Sequence, residues 1–422
     1  MNERLSQHGS FYERRAAQWL PFLAALAFSL FFCFVVYPYI ASNHHAVLDP
    51  DGYGRLGFGL WKNGSLSFYP DTEPTVARGP AYPTFVGTLL IATGGWWPGS
   101  VQVAQCFLLA LTGLLVFKMT EVLQNRRVAF WAAMAFAVYP IPIWYTSRIW
   151  VEIFAMFLMT GFCLTLMLYL AKPSVRVLLL SGLILGIATL CKSTFLPFFV
   201  IAPVLVASME GWKRTALRAL LIPLAASLVV VPWTARNWRV SGHIVPVHVL
   251  TGAALLDGDY IVDRFWETPF SYAPQCGKAA EVSREVAAQV PASLHGAERD
   301  YVFDAMLLKN RLRNYAAHPW ILIRKMVANA GLFWTLGESP AKSLAIGLML
   351  LPLAGLFAMA ACHTAFRKDR DTTLIIPVAL VFFYFAAHMP LNAVARYSIP
   401  LLPLMIVVVS TYMARKGPAT SP

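Results

Sequence analysis

Five ionisable side chains stand where an apolar chain has little reason to keep them. Asp49 and Asp51 lie in LDPDGYGRLGFGLW, just ahead of a stretch where Leu56, Leu60 and Trp61 recur at helical spacing. A carboxylate at a helix N-terminus is favoured by the helix dipole and stays ionised, so either one can accept a proton or hold a cation. Arg78 precedes Gly79-Pro80 at the start of a second apolar stretch, and a guanidinium fixed there can meet the phosphate of a membrane lipid. Glu152 follows Arg148 in SRIWVEIFAMF, and Lys192 interrupts a long apolar run between Leu190 and Phe195. Ionisable residues in such runs are expensive and are functional candidates by default.

The elements that must position these groups are membrane helices. Of 422 residues, 58% are apolar and only 13% charged, and the mean hydropathy is +0.59; soluble chains carry about 25% charged residues. The apolar residues come in blocks long enough to cross a hydrocarbon core of about 30 Å. A soluble enzyme, a secreted disulfide scaffold and a disordered chain are excluded. Spans are expected near 18–40, 99–120, 128–147, 153–171, 175–191, 194–209, 215–233, 342–364, 372–389 and 396–413. The first run is too long for a signal-peptide core and lacks a small-residue cleavage site, so it reads as a retained span. Five of the six cysteines sit in or beside these runs, where thiols act as small hydrophobes, and Cys276 alone falls in a polar loop.

Charge orients the spans. The net charge of +13 needs no nucleic acid to explain it, because membrane proteins gather Lys and Arg on the cytoplasmic side. One set of connections holds Arg4, Arg14, Arg15, Lys118, Arg126, Arg127, Lys172, Arg176, Lys213, Arg214, Arg218, Arg367, Lys368, Arg370, Arg415 and Lys416, and the opposite short ones only Arg55, Lys62, Arg78, Arg148, Lys192 and Arg396. Ten spans with both termini cytoplasmic satisfy this asymmetry. Residues 80–95 and 319–337, the latter with Arg324 and Lys325 in mid-run, break it if they cross. They are expected to lie at the outer interface, rimmed by Trp96, Trp97, Trp320 and Trp334.

The expected fold is thus an all-α polytopic membrane protein. It divides into an N-terminal transmembrane module over 1–233 with outer loop 41–98, a large outer region over 234–341, and C-terminal spans over 342–422. The outer region holds two helix-like stretches, 279–290 and 297–317, and the chain shows no internal repeat. Asp49, Asp51, Arg78, Glu152 and Lys192 all fall on the outer side, although none was placed there to bring them together.

At this point the residues resemble a family. LDPDGYGRLGFGLWKNG followed by ARGPAYPTFVGTLL is similar to the first outer loop of GT-C glycosyltransferases, in the bacterial branch related to protein O-mannosyltransferases and lipid A aminoarabinose transferases. The pattern is an Asp, a Tyr four residues on, then a basic-x-Pro-x-Tyr-Pro run, here Asp49, Tyr53, Arg78, Pro80, Tyr82 and Pro83. SRIWVEIF resembles the family's acidic second loop and Lys192-Ser193 its polar break. VPWTARNWRVSGHIVPVHVLTGAALLDGDY resembles the entry to its large outer loop, and ARYSIPLLPL the opening of its last span. The match departs at Asp257-Gly258-Asp259, where the family often has Gly-Asn.

The resemblance implies a cell-envelope hexosyl- or pentosyltransferase of the inner (plasma) membrane. It would use a polyprenyl-phosphate sugar donor, a lipid, glycan or protein acceptor, and chemistry on the periplasmic face with inversion. It implies catalytic roles for Asp49, Asp51 and Glu152, with either aspartate as the base. It implies substrate contacts from Tyr53, Arg78, Tyr82, Arg148, Lys192, Arg396 and Tyr397. Family members differ in whether they bind a divalent metal, so the resemblance leaves one possible here with His44, His45, His243 and His248 as candidate ligands; they lack ligand spacing, and no metal site is assigned.

Plainer readings stay open beside these. The aspartates can be helix N-caps, Arg78 and Lys192 snorkelling anchors, Arg396 a positional anchor, and Glu152 a partner of Arg148 four residues away. Trp233 and Trp320 can be interface belt, and Arg236, Arg239 and Arg324 loop solvation. A transporter or flippase of lipid-linked sugars is the main rival, but such proteins commonly show repeated halves and ionisable residues near mid-membrane. An O-antigen ligase or polymerase lacks the early Asp-x-x-x-Tyr and Arg-x-Pro-x-Tyr-Pro pairing, and a scaffold gives no reason for acids and bases to share one side.

Overall fold

The computed structural model describes residues 12, 15–44, 48–68, 72–267, 278–366 and 372–416, and among them there are helices but no strands. The expected Cys276 loop position, His45 as a metal-ligand candidate, and Arg4, Arg14, Arg367, Lys368 and Arg370 lie outside the described residues.

Among the described residues, seven helices are long and apolar enough to cross a membrane: Ala16–Ser42, Gly99–Leu123, Glu152–Ala171, Ser193–Glu210, Thr215–Ser241, Pro340–Phe366 and Ala395–Lys416. An eighth arises if Arg126–Ala137 and Pro140–Thr146, bent by 53°, form one span. Val175–Cys191 and Thr373–His388 are apolar but shorter. All ten expected runs therefore fall on apolar helices, and the chain is a multi-pass membrane protein.

Three runs are less regular than their hydropathy. The first passes through a π-helical turn at Phe32–Val36, the kind of bulge common in long apolar helices near functional residues. The third breaks at Tyr139, whose extended backbone (ψ 119°) is what a residue ahead of Pro140 prefers. The last opens as a 3-10 turn over Ala395–Leu401 before continuing from Leu402, which lifts Arg396 and Tyr397 out of the regular helix.

Packing ranks these helices. The most apolar windows of Glu152–Ala171 and Ala395–Lys416 are 72% buried, against 17% for Pro340–Phe366, so the central helices are the ones that carry Glu152 and Arg396. Val175–Cys191 lies tightly along the Leu221–Ser241 helix because Gly182 and Gly186 face it. A Cβ on Gly182 would overlap the Ile222 carbonyl, and one on Gly186 would sit 2.8 Å from the Ala226 oxygen. That helix continues unbroken through residue 233, the expected end of the N-terminal module.

The outer region is a small helical body of Thr251–Glu267, Lys278–Gln289, Gly296–Ala317 and Pro319–Thr335. Its apolar centre is Leu256, Ala279, Val286 and Leu307. The expected helices 279–290 and 297–317 are present. Pro319–Thr335 replaces the expected interfacial run 319–337, with Trp320, Ile323 and Val327 exposed on one side and Lys325 buried on the other. A helix with that division lies along a membrane surface more readily than through it.

Candidate active site

Two short helices of the first outer loop, Tyr53–Asn63 and Ala81–Ala92, pair in parallel. Tyr53 meets Tyr82 edge-on at 5.1 Å, and one turn further Gly57 meets Val86 and Gly87 with no room for a Cβ. The pairing sets the residues just ahead of each helix, Asp51 and Arg78, at the same end. Gly52, at φ 76°, makes the turn between Asp51 and the helix, a conformation that glycine adopts without a steric penalty.

Asp51 receives Arg396 from the far end of the chain, with Nη1 2.9 Å and Nη2 3.4 Å from its two oxygens. Burial alone would push the Asp51 carboxyl up. Arg396, then Arg78 and Lys192, outweigh it and hold the group below the ordinary carboxylate range. The Arg396 guanidinium lies 5.4 Å from the Trp150 ring centre and 5.2 Å from that of Tyr397. It is therefore a cation held on several sides.

Glu152 opens its helix at the positive end of the dipole and is 1% exposed. Its Oε1 accepts a hydrogen bond from Lys192 at 3.3 Å and lies 4.0 Å from Arg396 Nε, while its Oε2 is buried with no hydrogen-bond partner among the described residues. Lys192 stands between the Val175–Cys191 helix and the next turn, with its ammonium 4.6 Å from the Tyr397 ring centre. Gly79 brings Arg78 to the same place, because its Cα packs against the Leu190 and Cys191 carbonyls. Arg78, Lys192 and Arg396 thus face Asp51 and Glu152, one positive charge in excess. An alanine at Gly79 would strike the Leu190 carbonyl and push Arg78 away from Lys192. We expect Gly79→Ala to lower Tm and to weaken binding of an anionic ligand at least tenfold; unchanged binding would mean that this close approach does not set the site.

The outer loop supplies a further wall. Asn237 donates to the carbonyls of Val245 and Val247, both at 3.0 Å, Trp233 donates to Val247 at 2.9 Å, and Arg236 to Thr75 at 2.9 Å. These bonds fasten segment 242–250 to the helix beneath it and to the first outer loop, and they give the Pro-Trp and Arg-Asn pairs a structural job. The segment delivers His248, whose Nδ1 is buried without a hydrogen-bond partner. Burial, then Arg78 and Lys192, push its imidazole down to about 4, so it is neutral at physiological pH. His243 stacks on Tyr301 at 3.9 Å and is remote from this duty. No three His, Cys, Asp or Glu side chains among the described residues are grouped to hold a metal ion.

Three expected site residues, Asp49, Tyr82 and Arg148, have partners of their own. Asp49 turns back onto the Tyr53–Asn63 helix, accepts the Gly54 N–H at 2.8 Å, and keeps its other oxygen sealed from solvent. Burial raises its carboxyl pKa despite the backbone donors of Gly54, Arg55 and Tyr53. Tyr82 is fully buried and donates to Gln105 at 2.8 Å, a core role. Arg148 does not pair with Glu152, as four-residue spacing allowed; it reaches Glu338 at 3.0 Å and stacks 4.5 Å from the Trp150 ring centre. The chain between them is not helical, since Ser147–Val151 falls between two helices, and the spacing rule needs a continuous helix. Trp150 was not anticipated as a site residue, and His248 was anticipated only as a possible metal ligand.

The chain superposes on the oligosaccharyltransferase of Archaeoglobus fulgidus in its apo form with a TM-score of 0.55 at 16% identity, covering 95% of this chain and 51% of that one. The same archaeal enzyme, AglB, in complex with an inhibitory peptide and a dolichol-phosphate, gives 0.55 at 14% identity, with 96% and 51% covered. The chain spans about half the length of these structures. Residues 82–235 match the family described as dolichyl-phosphate-mannose-protein mannosyltransferase, a segment that includes Glu152 and Lys192. None of the curated proteins matches the chain by sequence.

Proposed function

We propose that this protein is a membrane glycosyltransferase that moves a sugar from a polyprenyl-phosphate donor to a lipid, glycan or protein acceptor, with inversion. The observation that carries the reading is the excess of cations at one opening: Arg78, Lys192 and Arg396 against Asp51 and Glu152. A sugar phosphodiester loses an anionic phosphate, and preorganised cations act where that charge develops. A polyprenyl tail gains about 0.8 kcal/mol per buried CH₂, which keeps such a donor in the bilayer and its phosphate at the interface. The dolichol-phosphate held by AglB, and the mannosyltransferase family matched over 82–235, support the same donor class. Lys and Arg asymmetry supports a site on the periplasmic side with both termini in the cytoplasm.

In this scheme Asp51 and Glu152 hold Arg396 and Lys192 in place, and Tyr53 and Tyr397 brace them. The acceptor oxygen enters opposite the departing phosphate, so the anomeric centre inverts. The test is transfer from a panel of radiolabelled hexosyl and pentosyl polyprenyl phosphates by the purified chain, with donor affinity measured alongside. Arg78→Ala should raise the donor Kd about ten- to a hundredfold, the loss of one charge-assisted hydrogen bond of about 1.5–3 kcal/mol. A donor that binds but is never turned over, and is instead carried across reconstituted vesicles, would make the protein a flippase.

A further inference from the structure

Trp150 stands where two guanidiniums meet one indole. The Arg148 guanidinium lies 4.5 Å from its ring centre and that of Arg396 5.4 Å, and the Tyr145 ring packs on it at 5.0 Å. The indole comes from residues 147–151, which have no helix of their own but are firmly held. Gln102 donates to the Ser147 carbonyl at 2.8 Å, and Gln105 to those of Thr146 and Arg148 at 3.0 and 2.8 Å. Both glutamines belong to the Gly99–Leu123 span and are buried. The Ile149 amide donates to the Leu48 carbonyl at 3.0 Å, which ties the same stretch to the loop that carries Asp51.

Packing alone does not account for this side chain. Trp150 is 5% exposed, so no sugar ring stacks on its face. Its Nε1 is buried with no hydrogen-bond partner among the described residues, a loss of hydration that a wholly apolar side chain would not suffer. What an indole offers is the aromatic face that attracts cations most strongly, and two guanidiniums lie over it. Arg396 has a use for that face. Asp51 grips it along one edge with two oxygens, a hinge about which the planar group can still tilt. Tyr397, its neighbour in sequence, lies 5.2 Å away but rides on the same 3-10 turn and moves with it. Trp150 is anchored separately and fixes the tilt. Arg148, drawn to Glu338 at 3.0 Å, seats the indole in turn.

We propose that Trp150 is a positioning residue, whose indole face holds the Arg396 guanidinium in the orientation that meets the departing phosphate. This rests on the reading of the chain as a polyprenyl-phosphate-dependent transferase. A cation free to tilt must be reorganised as charge develops on the phosphate. One held on its edge by a carboxylate and on its face by a ring is already in place. The hold is strongest where water is excluded, and the buried indole excludes it.

The test uses the full chain in lipid nanodiscs with the donor panel, and replaces Trp150 by tryptophans that carry an increasing number of ring fluorines. Fluorine draws density from the ring face and weakens its hold on a cation, while the shape of the side chain scarcely changes. Single-turnover transfer should fall stepwise with the fluorine count, to about a tenth when the benzo ring is fully substituted, with the donor Kd within about threefold and Tm unmoved. Trp150→Leu, which removes the face, should lose about ten- to thirtyfold in rate, the size of one desolvated cation–π contact, and Trp150→Phe should recover part of it. In the Arg396→Ala chain the fluorine series should be flat, because the group being held is gone. A flat series in an otherwise active chain overturns the assignment and leaves Trp150 to packing, while the transferase reading stands. A series that persists in Arg396→Ala, or that raises the donor Kd in step with the fluorine count, also overturns it, since the indole would then act on the donor directly. A wild type that transfers from no donor in the panel overturns the transferase reading and this assignment with it.

Discussion

Alanine in place of Arg396 will lower the transfer rate about a thousandfold while leaving the chain folded. Removing a single preorganised donor from a developing oxyanion costs about 10²–10³ in kcat, and Arg396 is more than one donor. It is the cation that Asp51 grips through both oxygens, and it lies between the Trp150 and Tyr397 rings. Its loss also frees Asp51 to turn toward Arg78 and Lys192, the two cations that remain. A planar fork is what makes the two-point grip, so Arg396→Lys should recover charge but not geometry and fall between the two. The measurement is single-turnover transfer with donor affinity determined separately. The rate should fall far more than the affinity, since the guanidinium is wanted most as the phosphate departs. A loss below tenfold would show that Arg396 is only an anchor for the last span.

The fold was largely legible in the sequence because membrane helices are written as apolar runs, and a run survives whatever packs against it. The interruptions were legible for the same reason. Lys192 between two apolar stretches, Glu152 at the head of another and Arg396 at the last one stand out against hydrocarbon, and the structure brings them within a few ångströms of one another. What periodicity does not record is which distant group meets which. Asp49 and Asp51 part at the turn made by Gly52, one bonded to its own helix and the other to Arg396, and sequence weighs the two equally. Glu338 claims Arg148 from across the molecule, where a rule about neighbours on one helix offered Glu152. Asp257-Gly258-Asp259 stood out only as a departure from the family pattern, yet Gly258 docks on the Leu391 backbone and Asp259 turns inward to Lys325. Tyr82 matches a family pattern, and its hydroxyl is turned into the core to meet Gln105.

The second large effect belongs to Lys325. Its ammonium is 1% exposed and lies 2.9 Å from Asp259, 2.5 Å from the Tyr315 hydroxyl and 3.2 Å from the Leu255 carbonyl. Removing one member of a buried ion pair costs about 3–5 kcal/mol, mostly because the other charge is left without compensation. Arg311, 3.4 Å from Asp259, softens that penalty without replacing a contact at the centre of the body. Lys325→Ala should therefore destabilise the outer region by about 3 kcal/mol or more. Hydrogen exchange should show this first in Thr251–Glu267, because Lys325 fixes that helix against Pro319–Thr335. A well-packed apolar pair can equal a buried ionic one, so Asp259→Asn combined with Lys325→Met should recover most of the stability. Transfer should fall in Lys325→Ala as well, since the helix that Asp259 anchors docks through Gly258 on the segment leading to Arg396. If exchange in that helix is unaltered, the buried pair does not hold it, and its placement comes from the contact of Gly258 with the Leu391 backbone alone.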